Sequence, residues 1–349
     1  MQFASRKGDG LKMSDRKIVA RGTLQGDNIE CPVVITAEYE KYCAGPIACK
    51  IIPDMEHFIQ VKHNLANNMR SLSIVGKTDE GEQIFIPEFQ IKSYTSYAGH
   101  GYSQENPKQI VWDTTVETFL EGQLSEFESN DERVICTLFI SPLPIVDLAV
   151  RYLRYPDGQI KIENDQQRSG IKWLTPFGEA EFTEEYRYLM DVRVGVEPAI
   201  TQIRRSCIKL SVNNTENIAL GQLLIGMQEY FDDVLWFMSF LARQRIVWYE
   251  GEALYLSTKS SEYKRALIRR NKWLGHIDEQ IRNHPLFDYD TLHDGLFEQL
   301  INRYLSSQLR NVIHQTIIHL LLSYERVYFE NQYTSVYTGF EGLVYPVCL

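Results

Sequence analysis

The segment RNVIHQTIIH, residues 310–319, places an arginine, an asparagine and two histidines within an otherwise apolar stretch. If the segment is helical, Arg310 and His314 are one turn apart and share a face, with Asn311 as a polar neighbour. A histidine can exchange a proton near neutral pH and an arginine keeps its charge, so these residues could belong to an RNA-cleaving site. They could also be the polar positions of a buried helix.

The most basic part of the chain is a second candidate, for contact with phosphate. Its cations are Lys264, Arg265, Arg269, Arg270 and Lys272. Lysine and arginine bind phosphate through charge and hydrogen bonds. A run of charge is more often a solvated surface, so both interpretations stay open for this segment.

Residues of metal-ligand type occur in two groups, and neither predicts a metal site. The first group is Cys31, Cys43, Cys49, His57 and His63. It lacks the short ligand spacing of structural zinc sites, so we expect core cysteines in strands. The second group is Glu229, Asp232 and Asp233, which we expect to meet water on the polar face of a helix. No metal or cofactor is predicted, and the Walker, GxGxxG, GxSxG and HExxH motifs are absent from the sequence.

The composition limits the class of protein. With 349 residues, 44% of them hydrophobic, the chain can form two cores. Its formal charge of -10 opposes non-specific coating of nucleic acid, although a local basic patch is compatible with that charge. Six cysteines without CxxC pairs and an N-terminus without an apolar secretion signal predict a reducing, cytoplasmic location. No apolar run of about 18 residues occurs, so no membrane span is predicted.

The elements that would position these residues change type along the chain. We expect a flexible tail over residues 1–15, because this stretch is polar and contains glycine. From there to about residue 212, short β-branched and aromatic runs predict roughly nine to twelve antiparallel strands, in a sandwich or an open barrel. The clearest hairpin is SLSIVGKTDEGEQIFI, residues 71–86, which would turn at Asp79, Glu80 and Gly81.

The period of the apolar residues changes after residue 217. Steps of three and four predict a long helix to residue 242, and RIVWYEGEALYLST predicts a β-hairpin that turns at 250–252, so both elements lie within 217–258. The apolar stripe of the helix is Leu224, Met227, Phe231, Val234, Leu235, Met238 and Leu241. Further helices are predicted over 292–308, 308–329 and 331–347. The predicted fold class is α+β, with an antiparallel β-rich domain over 16–288 and a helical segment over 289–349.

Two segments carry a resemblance to a known family. DDVLWFMSFLARQRIVWYE, residues 232–250, is similar to the helix-then-strand junction that closes the N-terminal domain of the ApeA-like proteins. These proteins are bacterial abortive-infection factors with a C-terminal HEPN domain. IIHLLLSYERVYFENQYTSVYTGFEGLV, residues 317–344, resembles the opening of an ApeA-type HEPN bundle, including Gly339, Phe340 and Glu341. The resemblance implies that residues 289–349 form the first helices of such a bundle.

The family implies a metal-independent ribonuclease that disables translation once infection is sensed. HEPN nucleases use an arginine, a polar residue and a nearby histidine that meet across a dimer cleft. The histidine takes a proton from the ribose 2′-hydroxyl, and the guanidinium stabilises charge on the phosphorus centre. The resemblance therefore implies RNA as the target, either tRNA or another cellular RNA. It also implies a phage-derived trigger protein, and a homodimer formed through the C-terminal helices.

The candidate residues lie in the wrong place for that role. Only three residues separate Arg310 from His314, fewer than in the family's motif, and His319 would lie on the opposite face of the helix. The family's motif also follows the glutamate-containing helix, whereas these residues precede Glu341. We therefore predict that the segment is scaffold, and that a nuclease motif would follow Leu349 in a longer protein.

Two classes of function follow from the sequence. In the first, the chain is the sensing and regulatory part of a bacterial antiphage HEPN ribonuclease that cleaves RNA only with a complete HEPN domain, so whether this chain is itself an enzyme stays open. In the second, it is a non-enzymatic module for ligand binding, protein binding or assembly, with a β-sandwich-like recognition domain. An enzyme site inside the β-rich domain has only scattered residues such as His57, His63 and His100 in its favour.

Overall fold

A computed structural model gives the structure of the chain. It describes residues 15–26, 29–40, 46–59, 72–89, 93–97, 109–124, 133–141, 143, 150–154, 160–164, 170–191, 199–212, 219–256, 263–271, 286, 292–324 and 337–338. Of the tail predicted over residues 1–15, all but Asp15 lies outside these ranges.

Sixteen strands and three longer helices lie within the described residues. The strands are β1 Asp15–Gly26, β2 Ile29–Glu40, β3 Ile47–Pro53, β4 Leu72–Thr78, β5 Gln83–Phe89, β6 Ser93–Tyr97, β7 Gln109–Val116, β8 Thr118–Gly122, β9 Arg133–Ile140, β10 Val150–Arg154, β11 Ile160–Asn164, β12 Ile171–Thr175, β13 Gly178–Asp191, β14 Ala199–Val212, β15 Trp248–Leu256 and β16 Tyr263–Arg270. The helices are α1 Leu220–Ala242, α2 Phe297–Ser306 and α3 Arg310–Tyr324, and a π-helical turn, Leu292–Leu296, precedes α2.

The chain divides into two compact units. The first comprises Met1–Ser125 and Arg265–Trp273, and the second comprises Glu126–Lys264 and Leu274–Leu349. Residues 16–288, which the sequence assigned to one β-rich domain, are therefore distributed over both units.

The first unit is built on one antiparallel sheet. Its described strands follow the order β16-β8-β5-β4-β1-β2-β3-β7-β6. The hairpin predicted at residues 71–86 is confirmed, because β4 and β5 pair antiparallel with Gly76 opposite Ile84. The chain turns at Asp79 and Glu80, and Gly81 adopts φ 88°, a left-handed conformation that glycine takes without strain.

One face of this sheet forms the core of the first unit. In β1, Ile18 and Ala20 are buried, whereas Val19 between them is 48% exposed, as strand alternation requires. The sheet curls, because β5 contacts β7 and the ring of Tyr39 in β2 lies 6.3 Å from that of Phe119 in β8. Neither pair of strands is adjacent in the sheet. The curl encloses the apolar face.

The second unit combines a smaller antiparallel sheet with the helices. The strand order is β12-β13-β14-β9-β15, and β10 and β11 pair separately. Helix α1 contacts β15, α2 and α3, and α2 also contacts β12. Trp173 of β12 joins these elements, since its ring centroid lies 4.7 Å from that of Phe182 in β13 and 5.3 Å from that of Phe297 in α2. Phe231 of α1 lies 6.5 Å from the same indole.

Helix α1 confirms the long helix predicted over residues 217–242, and every residue of its predicted apolar stripe is buried. The helix ends at Arg243, which adopts the left-handed conformation with φ 55°. The amide of Arg243 donates to the carbonyl of Phe240, and that of Gln244 donates to Ser239, so the last turn is closed by its own backbone.

The hairpin predicted to turn at residues 250–252 is wrong. Glu250, Gly251 and Glu252 continue within β15, and Gly251 is buried opposite Leu138 of β9. The register shifts by one residue just after Trp248, which is a β-bulge rather than a reversal. A glycine between two glutamates has turn chemistry, but pairing with β9 along the whole strand outweighs that local preference.

Residues 292–324, which the structure describes in the C-terminal segment, are mostly helical, as predicted. The helix predicted over 308–329 is observed as α3 over Arg310–Tyr324, with Ile317 and Leu321 buried. The helix predicted over 331–347 lies outside the described residues apart from 337–338. Within the described ranges, no helix is both long and apolar enough to cross a membrane. The α+β fold class is confirmed in outline, although fourteen described strands precede residue 213, more than the sequence predicted.

Candidate binding cleft

An open cleft of about 860 Å³ lies in the second unit. It is lined by the end of β12 and the turn after it, with Leu174 and Pro176, and by α2, with Leu305. Helix α1 and Arg310, at the start of α3, complete the lining. The cleft therefore lies where a strand end meets three helices.

Helix α1 presents one stripe of residues to this cleft. Gly226, Glu229, Tyr230 and Asp233 all line it, and their spacing of three and four places them on the same side of the helix. A Cβ built on Gly226 has nothing within 4 Å, so the surface of α1 is open there. The stripe adjoins the buried apolar stripe of α1, and its residues range from the exposed Gly226 and Glu229 to the buried Asp233.

The turn after β12 is fixed by its own threonine. Thr175 Oγ1 accepts hydrogen bonds from the amides of Phe177 and Gly178, both at 3.1 Å, and donates to the carbonyl of Gly178 at 2.8 Å. The amide of Leu174 donates to Glu298 Oε1 of α2 at 3.2 Å. These bonds hold Leu174 at the mouth of the cleft, where the side chain is 64% exposed.

Asp233 is the electrostatic centre of the cleft. Arg310 of α3 forms an ion pair with its carboxylate, and His314 Nδ1 lies 3.9 Å from its Oδ1. The imidazole also packs on Trp236, with ring centroids 5.0 Å apart. Burial raises the pKa of Asp233 even though Arg310 and His314 oppose that shift. Burial, assisted by the Asp233 charge, raises the pKa of Tyr304 to about 12.

The structure brings two of the three candidate catalytic residues together. Arg310 and His314 share a face of α3 and both approach Asp233, whereas Asn311 is exposed on the same helix. His319 is half-buried. The expectation that Asp233 meets water is wrong, because the residue is only 8% exposed and faces the guanidinium of α3.

This arrangement is poorly suited to RNA. Stabilising a phosphorane requires a guanidinium that is free to approach phosphate, and Arg310 is held by a carboxylate. The charged residues that line the cleft are three carboxylates and one guanidinium, that of Arg310. The carboxylates are Glu229, Asp233 and Glu298. Such a surface repels a polyanion and attracts positive charge.

The described cations of the basic segment do not all reach solvent. Arg265 is exposed, but Arg269 and Arg270 are 4% and 5% exposed, and the Arg269 guanidinium carbon lies 4.5 Å from the centroid of the Tyr39 ring. The side chain of Lys264 and all of Lys272 lie outside the described residues. Among the cations proposed for phosphate contact, Arg265 is the described side chain that solvent reaches.

The first unit contains a buried polar cluster that the sequence did not predict. Glu121 of β8 is 1% exposed, and its Oε1 accepts a hydrogen bond from the Tyr39 hydroxyl at 2.9 Å. Arg16 Nη1 lies 3.1 Å from the same oxygen. Burial raises the pKa of Glu121, although Arg16 and Tyr39 oppose the shift. The only signal in the sequence was a glutamate within the apolar run TFLEG.

The cysteines of the first candidate metal group behave as core residues. Cys31 and Cys49 are buried in β2 and β3, and burial raises the pKa of each thiol, to about 11 and about 12 respectively. His57 pairs instead with Asp54, at 2.7 Å. Cys43 and His63 lie outside the described residues, and the rest of the described chain holds no group of three metal-binding side chains.

Known proteins give no independent indication of the function of this chain. No family model, curated protein or solved structure matches the chain.

Proposed function

We propose that this chain is a sensing and regulatory module that binds a partner and does not itself cleave RNA. The observation that supports this proposal is the ion pair between Asp233 and Arg310, beside which His314 packs on Trp236. A guanidinium neutralised in this way fixes α3 on α1 and contributes little to binding a phosphate. The two residues that suggested a nuclease thus have structural partners within the second unit.

The proposal extends to the setting in which such a module acts. The resemblance of residues 232–250 and 317–344 to ApeA-like proteins supports a bacterial antiphage system, in the cytoplasm, whose ribonuclease activity needs a complete HEPN domain. In that setting a phage-derived protein is the trigger, a cellular RNA is the target of the complete HEPN domain, and the C-terminal helices pair two copies.

A ribonuclease assay on the purified chain tests the central claim. A fluorescently labelled RNA is incubated with the chain, with EDTA or with Mg²⁺, and the expected result is no cleavage above that of a buffer control. Cleavage in EDTA that disappears in His314→Ala but persists in Gln315→Ala would overturn the proposal. Gln315 is the matched control, because it is exposed beside His314 on the same helix and is not one of the candidate catalytic residues.

A second candidate is a binding or assembly module that has no link to a nuclease. The observation that favours it is the cleft itself, whose lining includes the exposed Leu174. Plaque counts on bacteria that carry the natural gene separate the two. If the chain acts in antiphage defence, the gene lowers the plaque count of at least one phage, and Glu229→Lys raises that count again by altering the cleft. If the chain is a plain assembly module, plaque counts are equal with and without the gene.

A further inference from the structure

The cleft of the second unit has an apolar surface with acidic residues beside it. Leu174 and Pro176 lie on one side and Leu305 on another. Leu174 is the most exposed of the large hydrophobic residues in the described chain, at 64%, although its neighbour Trp173 is 2% exposed. Apolar side chains held at the mouth of a concave surface are typical of protein-binding sites.

The charges around this apolar surface have one predominant sign. Glu229 is exposed on α1, and Glu298 is half-buried on α2. Asp233 neutralises Arg310, so the remaining carboxylates are not balanced by a cation of the cleft lining. The whole chain also carries a formal charge of -10. A partner would therefore gain from positive charge placed beside an apolar residue.

We propose that the cleft binds a short segment of a partner protein in which lysine or arginine adjoins an apolar side chain. The apolar residue packs on Leu174, Pro176 and Leu305, and the cation lies between Glu229 and Glu298. Gly226 leaves the surface of α1 open beside them, since no atom outside its own stretch of helix lies within 4 Å of a Cβ built there. The inference rests on the proposed binding function and adds the chemical class of the partner.

Selection from a random dodecapeptide library displayed on phage tests this inference. The full chain is the target, and Glu229→Lys is the counter-target. The expected result is enrichment of peptides that contain lysine or arginine next to leucine, isoleucine or an aromatic residue. Enrichment of acidic peptides, of purely apolar peptides or of no pattern would overturn the inference.

Affinity measurements with the most enriched peptide locate the site. In fluorescence polarisation, Glu229→Lys and Leu174→Ser are each expected to raise Kd by about tenfold, a loss typical of one buried contact or ion pair at an interface. Glu56→Lys in the first unit is the matched control, with the same change of charge on an exposed helical turn. Equal weakening by Glu56→Lys and Glu229→Lys would mean non-specific attraction and would overturn the site.

Two further measurements separate the remaining outcomes. Circular dichroism and thermal unfolding of each variant must match those of the wild type, so that loss of binding is not loss of fold. Sedimentation detects a second copy as occupant: a dimer that dissociates in Glu229→Lys, without peptide binding, overturns the inference. If the ribonuclease assay finds cleavage that depends on His314, the proposed function is wrong. If it finds no cleavage and the chain binds no such peptide, the proposed function stands and only the proposed chemical class of the partner is wrong.

Discussion

Two carboxylates, one in each unit, pair with an arginine beside an aromatic ring, and they differ in what surrounds the pair. Glu121 is 1% exposed, with Tyr39 and Arg16 both on its Oε1. Its Oε2 is buried and has no hydrogen-bond partner among the described residues. Asp233 is 8% exposed, pairs with Arg310 and lines a cleft of about 860 Å³.

The difference lies in the elements that carry each carboxylate. Glu121 is enclosed by strands of a curled sheet, where backbone pairing leaves side chains little freedom to rearrange. Asp233 lies where α1 meets the end of α3, and one side of that junction is open. Glu121 therefore contributes to the stability of the fold. Asp233 contributes to stability and also to the electrostatic field at the cleft, where a ligand would bind.

The largest expected effect is that of Glu121→Ala. The substitution leaves the buried Tyr39 hydroxyl without its acceptor and removes one carboxylate partner of Arg16, whose side chain is 30% exposed and also lies 3.7 Å from Glu82. Loss of the buried acceptor and of one ion pair together should lower the free energy of unfolding by about 2–3 kcal/mol. Urea unfolding followed by tryptophan fluorescence measures the loss. A loss below about 1 kcal/mol would mean that water reaches the Tyr39 hydroxyl and Glu121.

A smaller loss is expected for Asp233→Ala. The side chain of Arg310 is 35% exposed, so the guanidinium can turn into water once its partner is gone. The expected decrease in the free energy of unfolding is about 1–2 kcal/mol, by the same urea titration. Glu229→Ala, which removes an exposed carboxylate one turn earlier on α1, is the control. A loss as large as that of Glu121→Ala would remove the contrast between the two sites.

The sequence predicted elements whose pattern is local. The hairpin at residues 71–86 and the stripe of α1 were found because alternation and steps of three and four are properties of one segment. The shared face of Arg310 and His314 follows from helix geometry in the same way. The ion pair of Arg310 with Asp233 could not be predicted in this way, because it depends on how α3 packs on α1.

The buried cluster of the first unit shows why the rest could not be predicted. Tyr39 and Glu121 are 82 positions apart, and they meet only because the sheet curls. Likewise, Glu250 to Glu252 matched a turn, and only the position of β9 beside them decides that they form a strand. Single-segment patterns do not contain that information.

The pH dependence of the free energy of unfolding tests the burial of Glu121. Burial raises the pKa of Glu121 above its ordinary value of 4.5 in the folded state, so the folded chain binds the proton more tightly than the unfolded chain. This group's contribution to stability is full below pH 4.5 and is lost as pH rises through the raised pKa. Glu121→Gln does not titrate, so its stability should decline less over that interval.

Urea titrations at a series of pH values above 4.5 measure this difference. The wild type and Glu121→Gln should diverge as pH rises, in favour of the variant. Burial raises the pKa of Asp233 as well, so both proteins keep a decline of the same sign. Parallel curves would mean that Glu121 titrates as it does in the unfolded chain.

The smallest effects are expected from two buried tyrosines, each near one of the carboxylates. The Tyr39 hydroxyl donates to Glu121, so Tyr39→Phe should cost about 1 kcal/mol in the free energy of unfolding.

The Tyr304 hydroxyl is buried without a hydrogen-bond partner among the described residues, and its ring stacks on Phe237 at 5.2 Å. Tyr304→Phe keeps that stacking and removes an unsatisfied polar group, so its effect should stay within about 0.5 kcal/mol of zero or be stabilising. A loss of about 1 kcal/mol or more in Tyr304→Phe would mean that the Tyr304 hydroxyl does have a hydrogen-bond partner, and the two tyrosine hydroxyls would then contribute alike.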